Sequence, residues 1–328
     1  MAPIYLGVDG GGTKTLAVLV HNGTIIGQGL SGSASHEADG GYPRALATIQ
    51  EALDAAFNQA GVPWDQVSNA VLGIAGADFP EDFEALHEGL RGYFGTVPYR
   101  VVNDAEVALV GGARSGTGIV VICGTGTNVW GLTADGRSRH IGGNGYEYGD
   151  WGGGIDLARA VLHYAFRSYQ ARGKKTKLES AVLDALGYHD YDELTRALYL
   201  RMEPYRFLTL APLCFRVARE GDMVAQEILR TMGRALAESA VGCASALGLT
   251  GATIEVVMAG SVWLGDAPHL IGTFKDTLAD ALPFADAHFP DLAPVAGAAL
   301  LAAQDLGEDP IFWRDALRQF QVMRDSGD

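Results

Sequence analysis

The glycine-rich segment that begins at Asp9 constrains the fold of this chain more than any other feature. An apolar run over 4–8 leads into Asp9, three glycines at 10–12 and Thr13-Lys14-Thr15, and a second apolar run follows. Adjacent glycines let the backbone turn sharply and bring its N–H groups close to a bulky anion. An acid beside such a turn suits a divalent metal between carboxylate and phosphate. The segment therefore predicts a β-hairpin that binds a metal-bound nucleotide phosphate.

Two commoner glycine motifs do not match this segment. A P-loop requires lysine directly after glycine, whereas Lys14 follows Thr13. A dinucleotide fingerprint places its last glycine at the start of a helix, whereas Thr15 stands there and opens a strand-like run. Taken alone, the motif leaves open a glycine-rich hairpin that binds nothing.

The same design recurs further along the chain. An apolar run over 119–123 leads into Gly124-Thr125-Gly126-Thr127-Asn128, and another apolar run follows. Gly10, Gly12 and Thr13 align with Gly124, Gly126 and Thr127 at one common offset. The repeat predicts a duplicated domain with a nucleotide held between the two copies.

Hydrophobic periodicity predicts an α/β chain of two domains, which its length of 328 residues also favours. The first half is predicted to have strands over 4–8, 15–20, 25–28, 71–74 and 99–102, and helices over 44–60 and 80–94. The second half is predicted to have strands over 119–123, 129–132, 137–141 and 253–258, and helices over 157–170, 178–186, 191–200, 223–247, 268–282 and 296–306. The mostly helical stretch over 152–251 is interpreted as an insertion in the second domain.

Charge and cysteine usage exclude several classes of protein. The formal net charge of −15 argues against nucleic acid or an anionic membrane as a partner. Three widely spaced cysteines without a Cys-x-x-Cys pair indicate a reducing cytoplasm and no zinc or iron–sulfur site. A strand that starts at Ile4 indicates no signal peptide, and no uncharged stretch resembles a membrane span.

With these motifs in place, the chain resembles the sugar kinase, Hsp70 and actin superfamily, and within it the N-acetylglucosamine kinase and BadF/BadG/BcrA/BcrD ATPase family. Four segments match in the family order: 9–15 as phosphate-1, 102–105 as the catalytic acid, 124–128 as phosphate-2 and 258–262 as the adenosine segment. The resemblance implies two actin-like (ribonuclease H-like) domains around a cleft, ATP with Mg²⁺, a sugar acceptor and a homodimer. It also implies a first domain over 1–114, joined by the final helix at 296–328, and a second domain over 115–295.

The resemblance assigns a role to each matching residue. Asp104 is the catalytic base and Asp9 holds the metal, although local sequence alone favours a helix cap for Asp104 and allows a turn-forming aspartate for Asp9. Lys14 either adds positive charge or is simply solvated, and Gly260-Ser261 would form a strand-to-helix turn in any case. The remaining nucleotide contacts are assigned to Gly10, Gly11, Gly12, Thr13, Gly124, Thr125, Gly126, Thr127, Asn128, Gly260 and Ser261.

The acceptor loops depart from the family pattern. The resemblance places Ser35, Asn144 and Asp150 at the sugar, and His36 and Gly143 are assigned to the same site. Asn103 is interpreted as a hydrogen-bonding residue at a strand end near the sugar, and not as a catalytic group. The usual Gly-Trp-Gly is Gly143-Asn144-Gly145 here, the usual Gly-Asp-Glu-Gly-Ser is Gly149-Asp150-Trp151-Gly152-Gly153, and the first-loop Asn is Ser35. His36 is interpreted as a hydrogen-bonded residue and not as a catalyst. Tyr146, Tyr148 and Trp151 either stack on a sugar or belong to the core.

Three functions remain as hypotheses. The first is an ATP-dependent kinase that phosphorylates N-acetylglucosamine or glucosamine at the 6-hydroxyl. The second is a BadF-type ATPase that couples hydrolysis to a partner protein; the cysteines that hold a shared cluster in that group have no clear equivalent here. The third is a sensor related to ROK repressors, for which the early first strand leaves no room for a DNA-binding arm.

Overall fold

The first five strands form one mixed sheet, in the computed structural model that describes residues 2–37, 40–200, 209–265 and 268–318. They are β1 (Ile4–Gly10), β2 (Thr15–His21), β3 (Thr24–Ser31), β4 (Val67–Ile74) and β5 (Tyr99–Asn103), in the order β3-β2-β1-β4-β5. The β1–β2 and β2–β3 pairs are antiparallel, whereas β1–β4 and β4–β5 are parallel. The associated helices are α1 (Gly41–Ala60), α2 (Pro80–Phe94) and α3 (Asp104–Gly112).

The next five strands repeat this order in a second sheet. They are β6 (Gly118–Cys123), β7 (Thr127–Leu132), β8 (Ser138–Ile141), β9 (Ile254–Ala259) and β10 (Ala285–His288), in the order β8-β7-β6-β9-β10. Matching strand orders confirm the duplicated α/β fold predicted from the two glycine motifs. Strand β10 is not predicted from the sequence, because its four residues, Ala-Asp-Ala-His, form too short a run and include no β-branched or aromatic residue.

Helices fill the segment between β8 and β9. They are α4 (Gly153–Tyr169), α5 (Leu178–Leu186), α6 (Tyr191–Tyr199), α7 (Ala211–Arg219) and α8 (Met223–Leu247), and after β9 come α9 (Pro268–Ala281), α10 (Pro294–Gln304) and α11 (Pro310–Leu317). Helix α7 is not predicted from the sequence, because the short apolar run after Pro212 does not distinguish a helix from a strand. Within the described ranges, no helix combines the length and hydropathy needed to cross a membrane.

Contacts divide the chain into two units. The first contains the residues up to Val120, 130–138 and those from His288 onward, and the second contains 121–129 and 139–287. The predicted domain boundaries, 1–114 with 296–328 and 115–295, remain a prediction, and residues 319–328 lie outside the described ranges.

In the first unit, helices cover both faces of the sheet. Ile4, Leu6 and Val8 of β1 belong to one hydrophobic cluster and Tyr5 to another, which explains why nearly all of β1 is buried. Helix α10 lies so close to β1 that a Cβ on Gly7 would be 2.5 Å from the backbone nitrogen of Ala299.

Helices α3 and α10 cross at a pair of glycines, which makes a sharp stability prediction. A Cβ on Gly297 would lie 2.1 Å from the carbonyl oxygen of Val107 and 2.7 Å from the nitrogen of Gly111. Because backbone atoms cannot move aside cheaply, we expect Gly297→Ala to lower the free energy of unfolding by about 1–3 kcal/mol, measured by urea denaturation. Gly272→Ala in α9 is the control, because its Cβ would meet nothing within 4 Å. Equal stability of the two variants would contradict this close crossing.

Candidate functional site

One edge of the first sheet gathers several of the predicted site residues. Strands β1, β4 and β5 are parallel, so their carboxyl ends meet at the same edge. Gly10 is paired with Ile74, and Ile74 is paired with Asn103. Neighbouring strands are about 4.8 Å apart, which places Gly10 and Asn103 about 10 Å apart. The glycine turn and Asp104 therefore share this edge.

The first glycine turn directs its carbonyl groups inward. The oxygen of Gly10 accepts from the nitrogen of Ala75 at 2.8 Å, and the oxygen of Gly11 accepts from the nitrogen of Ala34 at 3.1 Å. In a trans peptide the N–H points opposite to the C=O, so the N–H of Gly12 points away from Ala34. A Cβ on Gly10 would lie 2.8 Å from Ile74, whereas one on Gly12 would meet nothing within 4 Å. Packing against neighbouring residues thus explains why position 10 is glycine, but it does not explain the glycine at position 12.

Asp9 precedes this turn and is partly exposed. Loss of hydration raises the pKa of its carboxyl to about 6, and the positive charge of Lys14 opposes that rise. A carboxylate that has lost hydration is stabilised by a nearby cation. Asp9 therefore fits a Mg²⁺ that keeps most of its waters, which needs only one or two carboxylates. Among the described residues, no three His, Cys, Asp or Glu side chains are grouped as a dedicated metal cage.

The second glycine turn has the same design and lies against a helix. The oxygens of Gly124 and Thr125 accept from the nitrogens of Gly154 and Ile155, at 2.7 and 3.0 Å, in the first turn of α4. The N–H groups that follow them, on Thr125 and Gly126, point away from α4. A Cβ on Gly124 or Gly126 would meet nothing within 4 Å. The positive end of the α4 dipole and outward N–H groups together make this turn suitable for an anion.

Asn128 connects this turn to the loop over 142–150. Its Oδ1 lies 2.5 Å from Nε2 of His140. A Cβ on Gly143, which has φ +90°, would lie 3.3 Å from that same Nε2. His140 therefore packs between a predicted nucleotide residue and a predicted sugar residue of the second unit.

Asp150 organises the 142–150 loop. Its Oδ2 accepts from the backbone nitrogens of Asn144 and Gly145, both at 2.9 Å. Tyr146 and Tyr148 are 62% and 78% exposed, so the interpretation of these two rings as core is wrong. Their stacking on a sugar stays a prediction.

Asn103, and not Asp104, caps helix α3. The Oδ1 of Asn103 accepts from the nitrogen of Ala105 at 2.9 Å, and Asp104 is the first residue of the helix. The cap alternative for Asp104 is therefore wrong, and its partly exposed carboxylate stands at the sheet edge. Asn103 is only 2% exposed, and its Nδ2 donates to Asp78 Oδ1 at 2.7 Å and to the oxygen of Ala77 at 3.2 Å. Because both amide hydrogens are used in these bonds, the geometry favours a structural role for Asn103 over donation to a sugar.

A buried carboxylate lies next to this arrangement. Asp82 is 7% exposed and accepts from Tyr42 Oη at 2.6 Å. Burial raises the pKa of Asp82, but hydrogen bonds from Tyr42 and from the nitrogens of Phe79 and Asp78 hold it below its ordinary value. His36 stacks on Tyr42, with ring centroids 4.4 Å apart, and its Nε2 is 3.5 Å from Asp82 Oδ1. The structure thus pairs His36 with Asp82.

Asp78 and Asp82 were not among the predicted site residues. Asp78 lies four residues after the end of β4 and Asp104 directly follows β5, so acids after two neighbouring parallel strands were the available signal. The predicted sugar residue Ser35 lies in the loop that follows β3, and its nitrogen donates to Ser33 Oγ at 3.3 Å.

The predicted adenosine segment forms a tight turn on β6. Gly260 has φ +103°, and a Cβ there would lie 2.4 Å from the oxygen of Cys123, so the fold itself requires glycine. Ser261 begins a 3₁₀ helix (Ser261–Leu264) that Trp263 anchors by donating from Nε1 to the oxygen of Val121 at 3.2 Å. The strand-to-helix turn is therefore present, and contact with a nucleotide stays a prediction.

A pocket of about 430 Å³ adjoins the end of that segment. Arg219, in its wall, donates from Nη1 to the oxygen of Gly265 at 3.1 Å. The lining residues are Phe215, Ala218, Arg219, Gln226, Leu229, Pro268 and His269. No sequence motif marks this pocket, because its residues come from separate segments of the chain.

All three cysteines of the chain are buried and free. Burial raises the pKa of Cys123 and of Cys243 to about 12, and that of Cys214 higher still. Thiols with such pKa values stay protonated at neutral pH and are poor metal ligands.

Comparison with known proteins identifies the family. The model of the BadF/BadG/BcrA/BcrD ATPase family matches residues 6–302. The chain belongs to this family. Its similarity to the N-acetylmuramic acid/N-acetylglucosamine kinase of Clostridium acetobutylicum is 30% identity over 277 residues, 83% of this chain and 89% of that protein. Similarity to the N-acetyl-D-glucosamine kinase of Dictyostelium discoideum is 29% identity over 248 residues, 71% of this chain and 76% of that one.

Solved structures agree with the family match. An N-acetylglucosamine kinase candidate from Chromobacterium violaceum has a TM-score of 0.70 and 27% identity, with 92% of this chain and 99% of that chain covered. A ROK glucokinase from Streptomyces griseus, solved with glucose and AMPPNP, has a TM-score of 0.59 at 22% identity, with 92% and 99% covered, which supports the fold alone. These comparisons confirm the predicted actin-like ATPase fold and an ATP-using kinase.

Proposed function

We propose that this chain transfers the γ-phosphoryl group of ATP to the 6-hydroxyl of an amino sugar, N-acetylglucosamine or glucosamine. The observation that carries the proposal is the pair of glycine turns, in which carbonyls bond to the protein and the N–H groups of Gly12, Thr125 and Gly126 point away from it. Open space at Gly12, Gly124 and Gly126 leaves room for phosphate oxygens. The kinase names of both curated relatives favour a sugar acceptor.

Each residue then has a defined task. The backbone N–H groups of Gly12, Thr125 and Gly126 bind the phosphates, and the hydroxyls of Thr13 and Thr127 donate to them. Gly11 and Gly124 instead shape the turns, because their N–H groups donate to the oxygens of Lys14 and Gly126, both at 2.9 Å. Asp9 holds Mg²⁺ through water, and the ion, when bound, neutralises charge on the phosphates. Lys14 adds a positive charge, and Asn128 lines the second turn. The adenine of ATP lies against Gly260 and Ser261, next to the pocket that contains Arg219.

Asp104 acts as the general base. Its carboxylate accepts the proton of the sugar hydroxyl as the hydroxyl oxygen bonds to the γ-phosphorus and the bond from that phosphorus to the β,γ-bridging oxygen breaks. The products are ADP and the sugar phosphate. Ser35, His36, Gly143, Asn144 and Asp150 line the acceptor site, with Asn103 behind Asp104.

A partner-coupled ATPase is the alternative within the same family. Clusters shared with a partner protein need accessible thiolates, whereas all three thiols here are buried with raised pKa values. We therefore favour the kinase. The homodimer and the cytoplasmic location stay predictions.

An ADP-release screen tests the proposal. We expect ATP turnover to rise at least about tenfold above background with N-acetylglucosamine or glucosamine. Glucose, N-acetylmannosamine and N-acetylmuramic acid serve as comparison acceptors, and NMR of the product identifies the phosphorylated position. Turnover that is unchanged by every sugar would contradict the kinase and favour the ATPase.

A further inference from the structure

We propose that Asp78 is a positioning residue that sets the location of Asp104 through Asn103. The inference rests on the proposed function, in which Asp104 is the general base. Asp78 and Asp104 follow neighbouring parallel strands, β4 and β5, and Asn103 both hydrogen-bonds to Asp78 and caps the helix that begins at Asp104.

The backbone at Asp78 is itself held by hydrogen bonds to a buried carboxylate. Oδ2 of the buried Asp82 accepts from the nitrogens of Asp78 and Phe79, at 3.1 and 2.8 Å. Oδ1 of Asp82 accepts from Tyr42, with His36 beside it. A carboxylate that satisfies two successive N–H groups holds the turn between β4 and α2 in one conformation. The backbone that carries the Asp78 carboxylate is therefore held in one position by Asp82.

The residue type at position 103 shows what the contact requires. Asn, Asp and Ser cap helices about equally well, because each accepts from a backbone N–H near the helix start. Of these three, only Asn also carries an amide that donates two hydrogens. Here one hydrogen goes to Asp78 at 2.7 Å and the other to Ala77 at 3.2 Å. Capping alone does not require Asn103, whereas the bond to Asp78 does.

The contact acts on the position of the base. Asn103 ends β5 and Asp104 begins α3, so a shift of Asn103 moves Asp104 directly. A displacement of about 1 Å at a reacting group costs about a hundredfold in rate. The bond from the buried Asn103 to the partly exposed carboxylate of Asp78 is charge-assisted, which makes it a firm restraint.

The test compares Asp78→Ala, Asp78→Asn and Asn103→Ser with the native enzyme. We expect Asp78→Ala and Asn103→Ser to lower kcat about 10- to 100-fold, with the KM for ATP unchanged. Asp78→Asn should recover most of kcat, because its amide oxygen still accepts from Asn103. Asp190→Ala is the matched control: it removes the cap of α6, where Asp190 Oδ1 accepts from Glu193, and should lower stability without changing kcat.

A double variant separates positioning from general damage. If Asp78 acts through Asp104, then adding Asp78→Ala to Asp104→Asn should not lower the residual turnover further. Additive losses, native kcat in Asp78→Ala, or equal losses in Asp78→Asn and Asp78→Ala would each overturn the inference. Native turnover in Asp104→Asn would instead refute the base assignment, so the two failures are distinguishable.

Discussion

Asp104→Asn is expected to remove nearly all phosphoryl transfer while ATP still binds. A positioned general base contributes about 10²- to 10⁴-fold, and the amide has the same shape but cannot take the proton. Helix α3 should remain intact, because Asn103 and not Asp104 caps it. We expect kcat to fall about 10³-fold, measured by sugar-dependent ADP release, and ATP affinity to stay unchanged by calorimetry.

The thermal midpoint of Asp104→Asn provides the control. A variant that melts with the native enzyme and binds ATP, yet does not turn over, identifies a lost chemical step. A variant that keeps more than about one-tenth of native kcat would contradict the base assignment, because such a loss is too small for a general base.

Gly126→Ala is expected to weaken ATP binding without weakening the fold. A methyl group at this position meets no protein atom within 4 Å, so it projects into open space beside the turn. If phosphate oxygens occupy that space, the methyl group displaces them. We expect ATP affinity to fall at least about tenfold, equivalent to about 1.4 kcal/mol, measured by calorimetry.

Two glycine substitutions serve as controls for Gly126→Ala. Gly92→Ala in α2 also meets nothing within 4 Å and should leave both ATP affinity and stability intact or slightly improved. Gly153→Ala should destabilise, because φ is +76° and its Cβ would lie 2.6 Å from the carbonyl carbon of Gly126. Native ATP affinity in Gly126→Ala would show that phosphate does not approach this face.

Much of the fold was predictable because its elements have strong local signals. The runs that became β1, β2, β6 and β7 are apolar and bounded by glycine turns, and the repeated turn predicted the repeated sheet. Segments with weak local signals were missed. Strand β10 has only four residues, two of them alanines, and is stabilised by pairing with β9. Helix α7 is a short segment that becomes helical where it packs on α8.

The candidate site was predictable only in part. Asp9, Asp104 and the glycine turns were identified because they stand at strand ends in a recognisable order. The contacts of Asp150 with its own loop, of His140 with Asn128, and of Asp78 with Asn103 join residues 5 to 25 positions apart. No local pattern encodes such contacts.

Sequence by itself determined that this chain holds two copies of a strand–glycine turn–strand unit, because backbone freedom and apolar alternation are local properties. Tertiary structure alone decided which of the adjacent Asn103 and Asp104 caps helix α3, because capping depends on where the strand ends and what lies beside it. It also separated Gly10, which neighbouring atoms require, from Gly12 and Gly126, which face open space. This difference depends on packing between segments that are distant in sequence, so it cannot be inferred from the presence of glycine at each position.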